Sequence, residues 1–111
     1  MSERKKKDQL LGTLDLLVLR VLSSRAMHGY GISKRIEEIS DEVLSVQQGS
    51  LYPALHRLEK KAFIQAEYRD GPLGKPVKTY SLTAHGADQL QEEVRHWELV
   101  SAAVNLVLKN A

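Results

Sequence analysis

The sequence contains no cysteine, only one tryptophan and only one phenylalanine among its 111 residues. Without cysteine the chain has neither disulfide bonds nor thiolate metal sites. It also lacks an apolar run long enough to span a membrane. With 42% hydrophobic and 27% charged residues, the chain is expected to form one compact cytoplasmic domain with a modest core.

Sequence motifs of catalysis and metal binding are missing as well. The four histidines do not show a metal-ligand spacing such as H-E-x-x-H, and neither G-x-S-x-G nor a phosphate-binding glycine loop occurs. Aspartate and glutamate are scattered over amphipathic faces, where solvation is their expected role. We therefore predict that the protein is not an enzyme and has no metal or cofactor.

Basic residues dominate positions 1–7, and an apolar stretch follows them from Leu10 to Leu22. This order superficially resembles a signal peptide, but Asp8, Asp15 and Arg20 interrupt it, and no small-residue cleavage site follows. We interpret residues 1–7 as a basic flexible tail that precedes a soluble helix.

That first helix is predicted from about Asp8 to Ser23, because apolar residues recur on one broad face at helical spacing. Leu16 and Leu19 fall roughly opposite this face. A helix that is apolar on two sides needs two partners, so we predict that Leu16 and Leu19 contact a second subunit.

A His28-Gly29 breaker predicts a second helix from about Tyr30 to Ile39, with Ile32, Ile36 and Ile39 facing inward. A polar connection follows it and contains a short apolar run at residues 43–46, which is compatible with a minor strand.

The third helix is predicted to begin near Gly49 and Ser50, where the Ser50 hydroxyl can cap the first turn. Pro53 is tolerated in a first turn because the N–H groups there have no helical acceptor. One face of this helix is apolar, and the opposite face carries Pro53, His56, Arg57 and Lys60.

Alternation of apolar and polar residues predicts a two-stranded ribbon after this helix, with a Gly/Pro-rich turn at residues 70–76. Thr83 is expected to cap a long last helix that runs to about Lys109. Apolar residues of this helix follow a heptad pattern over three heptads, with Ser101 as its weak position. We favour an intermolecular seam over an internal core stripe. Its members are Ala87, Leu90, Val94, Trp97, Ser101, Val104 and Leu108.

The charge distribution points to the middle of the chain. The net charge is +2, but residues 49–81 contain six Lys/Arg and three Asp/Glu, whereas residues 82–111 contain two and four. An excess of positive charge on a helix and ribbon suits a nucleic-acid surface, although a solvated surface explains charge alone equally well.

The order of these elements and several motifs resemble the PadR family of bacterial transcription regulators, from about Leu10 to Leu108. The motifs are Leu11–Asp15 (LGTLD), His28–Tyr30 (HGY), Gly49–Leu55 (GSLYPAL), Gly74–Pro76 (GKP) and Tyr80–Thr83 (YSLT). The sequence departs from the family at Ala62, where glycine is common, and at Val77, where a basic residue is frequent.

The resemblance implies a mainly α fold with a small β-ribbon, a winged helix-turn-helix followed by a long dimerisation helix. Residues 1–82 are then the DNA-binding domain and residues 83–111 the dimerisation helix. It also implies a homodimeric regulator of double-stranded DNA, commonly a ligand-responsive repressor, here acting on a palindromic operator. A winged-helix protein-interaction adaptor is the alternative, and RNA binding is a lesser one because no aromatic platform is present.

Helix geometry and the resemblance together assign roles to individual residues. For Arg57 a phosphate contact is favoured over reading of guanine. Trp97, in the middle of the seam, is first a packing residue and second a candidate for stacking a planar small-molecule effector. The predicted DNA contacts are Tyr30, Lys34, Ser50, Tyr52, Pro53, His56, Arg57, Lys60, Lys75 and Lys78.

Overall fold

A computed structural model describes residues 13–111 of the chain. The predicted start of the first helix at about Asp8 and the predicted tail at residues 1–7 lie outside the described residues. The predicted fold class, mainly α with a small β-ribbon and a long C-terminal helix, is confirmed. In chain order the elements are α1 (13–22), β1 (Met27–His28), α2 (Gly29–Ile39), α3 (Gln48–Lys60), β2 (Ile64–Asp70), β3 (Pro76–Leu82) and α4 (Ala84–Asn110).

Helix α1 is enclosed by its own chain on more than one side. Leu14 and Leu19 are both buried in the core, although they lie about 140° apart around a helix. The prediction that Leu19 contacts a second subunit is therefore wrong, because the domain itself covers that side. Leu16 is half-buried and packs against the same core.

Helix α2 begins with His28 as its N-cap, and the imidazole Nδ1 accepts a hydrogen bond from the Gly31 N–H at 2.9 Å. Ile32 and Ile36 are buried as predicted. Ile39 is 61% exposed, contrary to the prediction. It is the last residue of the helix and extends beyond the core that its two predecessors fill.

The connection after α2 is irregular, so the prediction of a minor strand at residues 43–46 is wrong. Asp41 and Glu42 adopt positive φ angles of 52° and 65°, which turn the chain away from the helix. The Glu37 carboxylate then accepts a hydrogen bond from the Val46 N–H at 3.2 Å. These local hydrogen bonds replace the pairing that a strand would make.

Helix α3 begins at Gln48, and its N-cap Gln47 makes no side-chain cap hydrogen bond. The prediction that Ser50 caps the helix is therefore wrong, because Ser50 already lies within the first turn. Pro53 lies one turn further in than predicted, so the helix lacks the hydrogen bond from residue 53 to the Gly49 carbonyl. Burial of the opposite face holds the helix in place, through Leu51, Ala54, Leu55 and Leu58.

The end of α3 is a Schellman motif centred on Ala62. The Phe63 N–H bonds the Leu58 carbonyl at 3.0 Å and the Ala62 N–H bonds the Glu59 carbonyl at 3.0 Å. Ala62 adopts φ +64°, a left-handed conformation that favours glycine. This chain therefore keeps the turn that glycine normally makes, at a conformational cost.

The predicted ribbon is present, and a third strand extends it. The sheet order is β1-β3-β2, with Met27 opposite Tyr80 and Ala66 opposite Tyr80 on the other side. Strand β1 has only two residues, which are too few to produce a periodic pattern in the sequence. Tyr80 is buried at the centre of the sheet, while Tyr68 is exposed near the tip.

Helix α4 begins as predicted, with the Thr83 hydroxyl accepting a hydrogen bond from the Gly86 N–H at 2.9 Å. Leu90 is buried and Val94 packs against the same core. The prediction that Leu90 lies at a subunit interface is therefore wrong, because the first turns of α4 pack on their own domain. From Trp97 onward the helix carries exposed apolar residues, and we call Trp97–Asn110 the C-terminal arm.

Candidate nucleic-acid interface

One side of α3 is exposed, polar and cationic. Tyr52, Pro53, His56 and Lys60 are all exposed, and their spacing places them along one side of the helix. The buried face of α3 fixes this orientation because its leucines are almost fully enclosed. The structure therefore brings together four of the ten predicted contact residues on one side of α3. We call these four residues the α3 stripe.

Arg57 does not face outward with the stripe, contrary to the prediction. Its Nη2 lies 2.8 Å from Oδ1 of Asp15 on α1, and the pair is partly buried. Burial raises the pKa of the Asp15 carboxyl, while the neighbouring Arg57 guanidinium opposes that rise. Arg57 is thus committed to tying α3 to α1, a use of its long side chain that helix geometry alone does not predict.

Ser50 is also displaced from its predicted position. It is half-buried and lines a groove between α1 and the loop after α2, together with Leu14 and Val46. A side chain in this groove points away from the α3 stripe. The prediction that Ser50 contacts DNA together with Tyr52 is therefore not supported by the geometry.

The N-terminal turn of α2 lies against α3. The phenol oxygen of Tyr52 is 3.0 Å from where a Cβ on Gly29 would stand, so glycine allows the ring to rest on the helix. Tyr30 stacks on His28 with ring centroids 6.5 Å apart, and Lys34 Nζ lies 5.9 Å from the Tyr30 ring centroid. Tyr30 and Lys34 therefore extend the cationic and aromatic surface from α3 onto α2.

The ribbon of β2, β3 and the turn between them, which we call the wing, adds two lysines. Lys75 is exposed in the turn between β2 and β3, where Gly74 adopts φ +76° and the Gly71 N–H bonds the Lys75 carbonyl at 2.9 Å. Lys78 lies closer to the domain, with its Nζ 3.8 Å from Oε1 of Glu59 and 5.5 Å from the Tyr80 ring centroid.

Between the wing and the first turns of α2 and α3 lies an open cleft of about 360 Å³. Three tyrosine rings and the Lys78 ammonium line it, so it combines aromatic faces with a positive charge. We call it the wing cleft. Its lining residues are His28, Gly29, Tyr30, Tyr52, Pro72, Val77, Lys78 and Tyr80.

The C-terminal arm presents the second exposed surface. Trp97 is 48% exposed, and Val104 and Leu108 follow it at the spacing of the predicted seam. Ser101 donates a weak hydrogen bond to the Glu98 carbonyl at 3.3 Å, which satisfies its hydroxyl within the helix. In the described chain this apolar stripe is left without a covering element.

Sequence reasoning missed three residues that shape the interface. Asp15 fixes Arg57, His28 caps α2 and lines the wing cleft, and Glu59 pairs with Lys78. The His28-Gly29 pair was a visible signal of a helix start. The two acidic residues were not recognisable as partners, because each pairs with a residue distant in sequence.

Neither metal-binding nor membrane-spanning features occur in residues 13–111. Over this range no three His, Asp or Glu side chains come together as a metal would require. Its helices also fall short of the apolar length that a bilayer crossing needs.

Comparisons with known proteins agree with this arrangement. The model of the transcriptional regulator PadR-like family matches residues 18–92. A transcriptional regulator from Clostridium thermocellum is 32% identical, with a TM-score of 0.80 over 88% of this chain and 95% of that one. A PadR-like regulator from Bacillus cereus is 31% identical, with a TM-score of 0.77 over 94% and 99% of the two chains.

Bacillus subtilis PadR, solved in complex with operator DNA, is 24% identical with a TM-score of 0.66 over 74% of this chain and 45% of that one. At this identity the likeness is one of fold. The family match and the two closer structures lead to one conclusion: the chain belongs to the PadR-like family of transcriptional regulators and has its winged-helix fold.

Proposed function

We propose that this chain binds double-stranded DNA as a homodimer and represses transcription at a palindromic operator in the cytoplasm. The α3 stripe carries the proposal. A helix of 13 residues is about 20 Å long and fits the major groove. Because the opposite face is buried, the α3 stripe is the side that is exposed, and the B. subtilis relative in complex with operator DNA supports this use of the fold.

The residues around the stripe have distinct roles in this proposal. Tyr52, Pro53 and His56 approach base edges and sugars, while Lys60 contacts phosphate. Lys34 and Tyr30 reach the backbone from α2. Lys75 reaches it from the wing. Arg57 has no direct role, because Asp15 holds it.

In this proposal residues 1–82 bind DNA and residues 83–111 form the dimerisation helix, in which the C-terminal arm makes the contact between subunits and the first turns pack on their own domain. The exposed apolar stripe of the C-terminal arm supports this division, because such a stripe is rarely left in water. Leu16 and Val94, both half-buried, lie at the edge of the domain where a second subunit can extend the contact. Two copies then place two α3 helices on successive major grooves.

An effector site is the remaining part of the proposal. In a symmetric pair of arms Trp97 comes close to its counterpart, and two indole rings can stack a planar cation. Titration of Trp97 fluorescence with a planar aromatic dye tests this. Saturable quenching supports a ligand site, whereas unchanged emission leaves Trp97 with a packing role only.

Selection of bound sequences from a random duplex pool, followed by affinity measurement at several salt concentrations, tests DNA binding. Each substitution removes one phosphate contact from both subunits of the dimer, so Lys60→Ala and Lys75→Ala are each expected to flatten the slope of log K against log salt by about 1.8. Lys109→Ala, the same charge change at the far end of α4, is the matched control and should leave the slope unchanged.

A lack of enriched sequences, together with equal slopes for all three variants, would contradict DNA binding through this surface. Such a result would favour the adaptor alternative, which predicts only weak, sequence-independent binding that salt abolishes.

A further inference from the structure

Among the described residues that line the wing cleft, Lys78 is the only lysine or arginine, and it already pairs with a carboxylate of its own domain. Its Nζ lies 3.8 Å from Oε1 of Glu59, with side chains 43% and 39% exposed. The Tyr80 ring lies beneath the same ammonium group, and Tyr80 and Glu59 both raise the pKa of Lys78. In the free protein the ammonium group stays charged, and the Glu59 carboxylate partly balances its charge.

Glu59 lies beside the surface that DNA approaches. It follows His56 by three residues and directly precedes Lys60, both of which are in the α3 stripe. A phosphate near Lys78 is consequently also near a carboxylate. Repulsion between these like charges opposes binding, and the phosphate must replace Glu59 as the partner of Lys78.

We propose that Glu59 competes with a DNA backbone phosphate for Lys78 at the wing cleft and so limits DNA affinity. This inference rests on the proposed function and names a residue that restrains it. Binding to arbitrary sequences depends almost entirely on charge, whereas operator binding also has base contacts. Glu59 therefore weakens binding to arbitrary DNA more than binding to the operator, and it increases the discrimination between operator and arbitrary DNA.

Glu59→Gln tests the inference because it removes the charge and keeps the size of the side chain. One unit charge about 7 Å from a phosphate corresponds to about a three- to tenfold change in affinity, so with one such charge in each subunit we expect the dimer to bind a mixed-sequence duplex about ten- to hundredfold more tightly at low salt. The slope of log K against log salt should become steeper by about 1.8, because Lys78 becomes a full phosphate contact in both subunits of the dimer. The gain for the selected operator should be smaller.

Glu92→Gln is the matched control. Glu92 is exposed on α4 and pairs with Arg95 at 3.1 Å, so the substitution removes the same charge and also breaks an ion pair. Glu92 lies on a different element from the α3 stripe. The DNA affinity of the Glu92→Gln variant should therefore stay within about twofold of that of the wild type, because salt screens distant charges. Circular dichroism of both variants verifies equal folding.

Lys78→Gln provides the second comparison. In the Lys78→Gln chain, Glu59→Gln should increase log K for DNA by less than half as much as it does in the wild-type chain, because the lysine that Glu59 pairs with is absent. An equal gain in both backgrounds, or equal behaviour of the Glu59 and Glu92 variants, would overturn the inference while leaving the proposed function standing. Failure of the wild-type chain to bind any duplex would overturn both.

Discussion

Gly86 allows α4 to dock against the end of α3, and its replacement by alanine gives a sharp test of the fold. A Cβ on Gly86 would stand 1.9 Å from the Phe63 carbonyl oxygen and 2.8 Å from Cδ1 of Leu82. A favourable C···O contact needs about 3.3 Å, so the helix and the turn must separate by roughly 1.4 Å.

That separation disturbs the hydrogen bonds joining α4 to the turn. The Thr83 N–H bonds the Phe63 carbonyl at 3.1 Å, and the Thr83 hydroxyl bonds the Ala62 carbonyl at 2.6 Å. Overpacking costs about 1–3 kcal/mol, and each weakened hydrogen bond adds up to about 1 kcal/mol. The better helix propensity of alanine returns about 1 kcal/mol. We expect Gly86→Ala to lower the free energy of unfolding by about 2–3 kcal/mol.

Urea denaturation followed by circular dichroism, at one fixed protein concentration, measures the change. Gly49→Ala is the matched control, because a Cβ on Gly49 has no neighbour within 4 Å. It should raise the free energy of unfolding by about 0.5–1 kcal/mol. Equal or greater stability of the Gly86 variant, relative to wild type, would refute the docking geometry.

Three further substitutions test other parts of the structure. Ala62→Gly should stabilise the chain by about 1 kcal/mol in the same assay, because Ala62 adopts φ +64°. Arg57→Gln should cost about 1–3 kcal/mol and raise the pKa of Asp15 further, which an NMR titration measures. Because a raised carboxyl pKa stabilises the folded state in acid and this contribution is lost as pH rises through it, the cost should grow from acidic to neutral pH. Val104→Asp should shift the chain toward monomer in sedimentation equilibrium, with unchanged dimerisation as the contradicting result.

Periodic patterns predicted most of the fold. The alternation at Ile64 and Ala66 located the ribbon, and the Thr83 cap located the start of α4, because these signals depend on neighbours in sequence. Helical periodicity gave the wrong partner for Leu19, because the number of sides of α1 that its own domain covers depends on tertiary packing. It failed for Ile39 because a helix end can extend past the core.

The candidate site was predicted less completely. Tyr52, His56 and Lys60 follow from helix spacing once the buried face is known. Arg57 shares that spacing, yet its guanidinium bonds the carboxylate of Asp15, which lies 42 positions earlier in the sequence. Such long-range polar partners have no local signal in a single sequence. For the same reason Glu59 could not be recognised as the partner of Lys78.

The most direct test of DNA recognition by a paired α3 stripe is selection of duplexes from a random pool by the purified chain. We predict enrichment of an inverted repeat whose half-sites lie about one helical turn apart, with affinity that falls steeply as salt rises. Enrichment of no sequence, or of a single half-site bound by a monomer, would contradict it.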